Sequence, residues 1–404
     1  MEYIKLTHSK IEESKIRFFY SAPDKFHEYL KHHDLFIDYP IDVQLSSIPE
    51  GVRNIPFVGN MLIVSMLMGV GIEVDELDRV FFDCLKDVKK TFKKMFPYLQ
   101  LCFDVKASTL TENNFAVSGE KSLFFTGGLD ATSALIECLK DKPTLINIWG
   151  GDVCIEDSAT HKVLDDYMMQ LTQQIDSKYA FIKSNCREMY NERKISRKCM
   201  FLLKPWQNHG WWASFAHILS MTTLLAPIAY SRRIGLHYVG SSYDCNDKTF
   251  DANNDQMVRA IRFHSCRLES VDSSLDRTTK SKKLVSFCKE NNIFFKLKVC
   301  WYRKSGENCS HCEKCYRTIM DIIVNHGDPN QYGFTFQKEN WNDIKIFLDN
   351  TYVNKSFWIP IQKRFLEEKE YWMNHPEASW ILNYNFNGLK SIKNKIIQVV
   401  NKFF

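Results

Sequence analysis

The sequence predicts an α/β fold, a doubly wound parallel sheet with helices on both faces. Three observations support this. From Lys121 onward, short apolar runs of strand length alternate with amphipathic stretches of helical spacing. The segments that look chemically active follow directly on those apolar runs, where such sheets place their ligands. The chain has 404 residues, enough for two domains with a sizeable core.

Residues 1–118 read as an N-terminal α+β domain. Phe18–Tyr20 and Val43–Leu45 are short apolar or alternating runs, and Val74–Phe96 has helical spacing with lysines on its polar face. No chemistry is legible here, and contact with a protein partner is the role left open. The polar segment Ser108–Glu120, with its Ser-Gly step, is the expected boundary. Residues 119–329 hold the expected strands: KSLFFT from Lys121, Thr144–Trp149, Tyr179–Lys183, Leu236–Gly240 and Ile293–Val299. The helix-like stretches are Leu129–Lys140, Thr160–Ile175, Trp211–Tyr230 and Lys280–Asn291. A helix begun near Glu313 is expected to close at Gly327, before the turn at Pro329 and Asn330. Residues 330–404 read as a helical C-terminal extension, rich in tryptophan. Its last segment, SIKNKIIQVVNKFF, is basic and amphipathic and is expected to pack as a terminal helix.

With 45% hydrophobic and 25% charged residues, the composition is globular and excludes a disordered or fibrous chain. A net charge of +5 permits anionic small ligands or nucleic acid but favours neither. The polar N-terminus does not read as a secretory signal. The longest apolar stretches, Asn60–Ile72 and Phe215–Tyr230, fall short of a membrane span and read as buried helices. Of 13 cysteines, four sit within Cys300–Cys315 and the rest are scattered, which fits a reducing compartment and a cytoplasmic location.

The first chemical motif is Thr126-Gly127-Gly128-Leu129-Asp130-Ala131-Thr132, directly after the strand KSLFF. Adjacent glycines let the backbone turn sharply and approach a ligand. The amides opening the next helix favour an anion. Hydroxyls at Thr126 and Thr132 add donors for phosphate oxygens. Asp130 is an odd neighbour for phosphate unless a cation stands between them, and Mg²⁺ would serve. The competing reading is a tight turn with Asp130 as helix cap. The lysine-containing loop GxxxxGK[ST] is absent.

The second motif is Cys300, Cys309, Cys312 and Cys315. Four thiolates close a tetrahedral Zn²⁺ shell, and Cys312 and Cys315 share one helix face. A fully sulfur-ligated zinc keeps no open position, so its role would be structural. An iron–sulfur cluster takes the same donors and stays open as an alternative.

FFTGGLDATSAL resembles the SGGxDS loop of the PP-loop (N-type) ATP pyrophosphatases. The cysteine spacing followed by Arg317 is similar to the zinc site of 7-cyano-7-deazaguanine synthases within that family. Two motifs in this order, over about Gly119–Pro329, carry the resemblance. It implies a Rossmann-like sheet of the adenine nucleotide alpha hydrolase type, with ATP at Thr126–Thr132. The implied reaction forms an acyl-adenylate from a small-molecule carboxylate, with release of pyrophosphate. Ammonia or another amine would then attack. In this chain Thr126 replaces the first serine and Ala131 the second, which removes a hydroxyl. The resemblance also places Trp149 and Gly150 near the adenosine, and Gly240 and Ser241 in a third active-site loop. Arg277, Lys280 and Arg317 are candidates for phosphate or substrate carboxylate, and Lys282 belongs to the same basic run. His209 and Trp211–Trp212 read as core. Two alternatives remain: a tRNA-modifying enzyme using Cys245 or Cys266, and a nucleotide-binding scaffold. Self-association as a homodimer is compatible with each.

Overall fold

Among the described residues, eleven strands form one sheet: β1 (Tyr3–Glu12), β2 (Lys15–Ser21), β3 (Asp34–Asp38), β4 (Gly71–Asp78), β5 (Val105–Thr111), β6 (Lys121–Phe124), β7 (Thr144–Trp149), β8 (Tyr179–Ser184), β9 (Leu236–Gly240), β10 (Arg262–Phe263) and β11 (Cys266–Val271). Their order is β10-β11-β9-β6-β7-β8-β3-β2-β1-β4-β5. The computed structural model describes residues 1–97, 101, 104–202, 210–242, 254–300 and 306–386.

The run β11-β9-β6-β7-β8 is parallel throughout. Its first strand in the chain, β6, lies between β7 and β9, so the winding reverses there. This is the order of a Rossmann-like sheet, with the topological switch point at the carboxyl ends of β6 and β9. Beyond β8, the strands β3, β2 and β1 pair antiparallel, and β1-β4-β5 pair parallel.

Residues 1–118 were expected to stand as a separate domain, but their strands extend the same sheet through the β3–β8 pairing. The polar segment expected as a boundary begins inside β5. Most of its side chains are exposed or half-buried, and β5 is the last strand at this edge of the sheet among the described residues.

Val74–Phe96 is two elements. Asp78 ends β4 and caps the helix α1 (Arg79–Met95), its Oδ1 accepting from the Phe81 amide at 2.8 Å. This fully buried carboxylate also accepts from the His264 amide at 2.9 Å and the Asn113 side chain at 3.1 Å.

The chain divides into two compact units, Met1–Phe125 with Glu137–Ser274, and Thr126–Ile136 with Leu275–Phe404. The sheet belongs to the first. Within it, Glu50–Met68 and Trp212–Ser231 are long and apolar enough to cross a membrane, yet 83% and 89% of their apolar windows are buried. A helix apolar on every side sits in a protein core or in a membrane, and this degree of burial is that of core helices. Gly59 shows how closely they meet, since a Cβ there would lie 2.3 Å from the Thr223 hydroxyl oxygen. Trp211 and Trp212 are buried in this core. The expected long helix Trp211–Tyr230 is broken by a π-helical turn at Trp212–Ala216 and restarts with Pro227 in a new first turn.

The second unit holds the opening of α2 (Leu129–Cys138), then α3 (Arg277–Asn291), α4 (Glu313–Ile323), α5 (Asn340–Asn350) and α6 (Lys355–Glu367). The strand expected at Ile293–Val299 does not form. The alternation is real, with Phe295, Leu297 and Val299 buried and Lys296 exposed. Its amides instead find single partners: Leu297 donates to the Tyr332 carbonyl at 2.9 Å and Lys298 to the Gly127 carbonyl at 2.7 Å. The fifth parallel strand is β11, whose polar Arg267 and Glu269 disguise it in the sequence. The terminal segment SIKNKIIQVVNKFF lies outside the described residues.

Candidate functional site

Within the second unit, the glycine bend starts at Thr126 and Gly127. Gly127 has φ +75°, a left-handed conformation that favours glycine. Its carbonyl is tied to the Lys298 amide, which fixes the bend against the irregular segment leading to the cysteines. The Gly128 amide leans on the Thr126 hydroxyl oxygen at 3.4 Å. The amide and hydroxyl of Thr132 both donate to the Gly128 carbonyl at 2.9 Å, and Thr132 is fully buried. Its hydroxyl proton is therefore committed inside the first helical turn. Ala131 and Leu129 are buried beside it. Of the two expected hydroxyl donors, only Thr126 is partly exposed.

Asp130 sits among cations. Its Oδ2 accepts from Arg277 Nη1 at 2.6 Å, and its Oδ1 lies 3.4 Å from Lys280 Nζ. Asp276 caps α3 through the Thr279 amide at 2.7 Å. Arg277 and Lys280, three apart on that first turn, consequently reach the same carboxylate. The Lys280 side chain is 0% exposed and that of Arg277 14%. Burial works against the charged form of Asp130, but Arg277, Lys280 and Arg317 outweigh it and hold the carboxyl below its usual range. Burial pulls Arg317 downward, and repulsion from Arg277 adds to it. Nε of both Arg277 and Arg317 is buried without a hydrogen-bond partner among the described residues. Such a cluster has donors and positive charge to offer an anion.

The expected Mg²⁺, shared between Asp130 and the phosphates, would have to compete with Arg277 and Lys280, since each Asp130 oxygen already faces a cation. Asp321, one turn beyond Arg317 on α4, is buried and accepts from the Thr278 hydroxyl at 2.7 Å. Burial pushes its carboxyl up to about 7, against the opposing pull of Arg277.

The sulfurs of Cys300, Cys309, Cys312 and Cys315 all lie within 4.8 Å of one another. Cys309 and Cys315 are 3.8 Å apart, and Cys312 and Cys315 3.5 Å. Tetrahedral sulfurs at a zinc–sulfur distance of about 2.3 Å stand about 3.8 Å apart, so the donor set fits a single ion. A cubane cluster attaches each sulfur to a different iron and needs a wider spread. His311 turns away, its Nδ1 2.6 Å from the Cys309 carbonyl. Hydrogen bonding with Cys315 lowers the Cys312 thiol, while burial raises that of Cys309 and the bond to Cys312 raises that of Cys315.

Asn308 holds this loop, and sequence reasoning missed it. Its Oδ1 accepts from the amides of Val299 at 3.0 Å and Cys300 at 3.1 Å. Its Nδ2 donates to the carbonyls of Leu297 at 2.8 Å and Gly333 at 2.9 Å. One buried amide thus satisfies four backbone groups that no strand pairs. Its position beside Cys309 was the available signal.

The remaining candidates lie in the sheet unit. Trp149 stacks on His161 with ring centroids 3.8 Å apart, and Lys183 Nζ sits 4.0 Å from its ring. Gly150 has φ +107°, and a Cβ there would meet the Ser184 carbonyl oxygen at 1.8 Å, so the turn demands glycine. Gly240 ends β9, and the buried Ser241 donates its amide to the Val271 carbonyl at 3.0 Å. Cys266 is a poor nucleophile, because burial in β11 pushes its thiol up to about 12. His209 and Cys245 lie outside the described residues.

Comparison with models of known protein families, with curated proteins and with solved structures finds no match.

Asn308→Ala strands two buried amides and two carbonyls, so chemical denaturation should show a loss of at least about 2 kcal/mol, with easier metal loss to a chelator. Metal analysis of the unaltered chain should give about one ion per chain, by the four-thiolate rule. Asp321 supplies the pH test. Its folded pKa lies above that of an unfolded carboxyl, about 4, so stability should fall as pH rises from about 4 through 7. Asp321→Asn, still able to accept from Thr278, should flatten that part of a stability–pH profile. An equally steep profile would contradict the assignment.

Proposed function

We propose that the chain is an ATP-dependent ligase that activates a carboxylate as an acyl-adenylate. The observation that carries this reading is the buried cation cluster of Arg277, Lys280 and Arg317 around Asp130, in the first turn after a glycine bend that follows β6. A substrate carboxylate oxygen attacks the α-phosphorus of ATP, and the bond to the bridging oxygen of pyrophosphate breaks. An amine then attacks the acyl carbon, forming the amide and expelling AMP, with the amine proton lost to solvent. The protein contributes position and electrostatic stabilisation of the departing pyrophosphate. The fold type of adenine nucleotide alpha hydrolases belongs to the same proposal. By the motif resemblance, the acid is 7-carboxy-7-deazaguanine-like and the nitrogen donor ammonia or another amine. The four-sulfur site holds a structural Zn²⁺, supplied by Cys300, Cys309, Cys312 and Cys315.

A second reading, a nucleotide-binding scaffold, is favoured by one observation. Ala131 has no hydroxyl, and the hydroxyl of Thr132 is already spent on Gly128. The loop keeps fewer side-chain donors for a transition state than the motif normally supplies.

Pyrophosphate release separates the readings. With ATP, 7-carboxy-7-deazaguanine and ammonia, the ligase reading expects acid-dependent release, lowered about 10²-fold or more by Arg277→Gln without loss of the bound metal. ATP binding with no release under any acid tested would favour the scaffold. Absence of ATP binding would remove both.

A further inference from the structure

Arg317 is held from behind by the C-terminal helix α6. Its guanidinium carbon lies 4.0 Å from the centroid of the Phe357 ring, within cation–π range. Its Nη1 lies 3.5 Å from Glu313 Oε1, one turn earlier on α4. The same Glu313 oxygen accepts from the Trp358 indole at 3.2 Å, and Trp358 is fully buried. Neighbouring residues on a helix diverge by about 100°, so Phe357 and Trp358 straddle the start of α4. One takes the arginine and the other its carboxylate. Asn354 caps α6 through the Ser356 amide at 3.1 Å, fixing where both rings begin.

The arrangement has an electrostatic purpose. Arg317 and Arg277 repel one another, and burial penalises the charge on Arg317 further. An unsupported arginine side chain would swing toward solvent. The aromatic face and the Glu313 carboxylate lower the cost of keeping it near Arg277 and Asp130.

We infer that Phe357 and Trp358 are positioning residues that set Arg317 for the anion bound at Arg277 and Lys280, making the C-terminal extension part of the anion site. This rests on the anion-binding reading given under Proposed function. The ligand class is a pyrophosphate or the polyphosphate end of a nucleotide.

Calorimetric titration of the full chain with inorganic pyrophosphate tests the inference. Phe357→Leu keeps the apolar volume and removes the π face, and should weaken binding about three- to tenfold. Phe357→Trp restores a π face and should return affinity to within about twofold of the unaltered chain. Trp358→Phe keeps the buried ring and removes only the donor to Glu313, and should weaken binding in the same direction while metal content stays unchanged. Unaltered affinity in Phe357→Leu, or equal loss in Phe357→Leu and Phe357→Trp, would overturn the positioning role and leave the anion site standing. An unaltered chain that binds no pyrophosphate would sink both.

Discussion

The second unit is organised around the cost of burying charge. Arg277, Lys280 and Arg317 are largely removed from water; Asp130 answers the first two and Glu313 the third. Buried cations persist only where paired and hydrogen-bonded. The unit accordingly builds a frame for them: an Asp276 cap that aims Arg277 and Lys280, a helix opening that presents Asp130, and an aromatic backstop behind Arg317. Each device would be unnecessary if these residues projected into solvent. Their burial, with arginine Nε donors left over, is what distinguishes the cluster from an ordinary basic face.

A second constraint joins this cluster to the cysteines. Among the described residues no strand pairs with the segment before Cys300, and its amides are met one at a time by Tyr332, Gly127 and the Asn308 side chain. Lys298 thereby fixes the glycine bend two residues before the first sulfur of the four-cysteine cluster. Helix α4 begins at Cys312, its N-cap, and carries Cys315, Arg317 and Asp321 in succession. A metal at the four sulfurs would anchor both the bend and the helix that bears the third cation. A structural ion can thus govern a polar site without touching its ligand.

Much of this was legible in the sequence. Apolar runs at β6, β7, β8 and β9 announced the parallel core because strands covered on both faces must be apolar along their length. The cysteine spacing announced its cluster for a similarly local reason. What stayed hidden depends on long-range partners. Cys266–Val271 carries Arg267 and Glu269 and did not look like a strand, whereas Ile293–Val299 alternates well and is not one. Periodicity reports which side chains are buried, not where the backbone amides find acceptors. Asp130 illustrates the same limit. A carboxylate beside a phosphate-type loop suggested a metal ion, and the structure answers it with Arg277 and Lys280 from residues more than a hundred positions away. Asn308 and Trp358 carry no motif at all. Their roles come from four backbone groups and one carboxylate brought to them by the fold.

The proposed role of the cationic cluster beside the glycine bend is that of a receptor for the phosphate chain of a nucleotide. A crystal structure of the full chain soaked with ATP or its non-hydrolysable analogue tests that directly. Phosphate density is expected within hydrogen-bond distance of the amides at Gly127–Ala131 and of Arg277, Lys280 or Arg317. Density for the nucleotide elsewhere, or an Asp130–Arg277 pair unchanged at saturating ligand with no phosphate beside it, would contradict it.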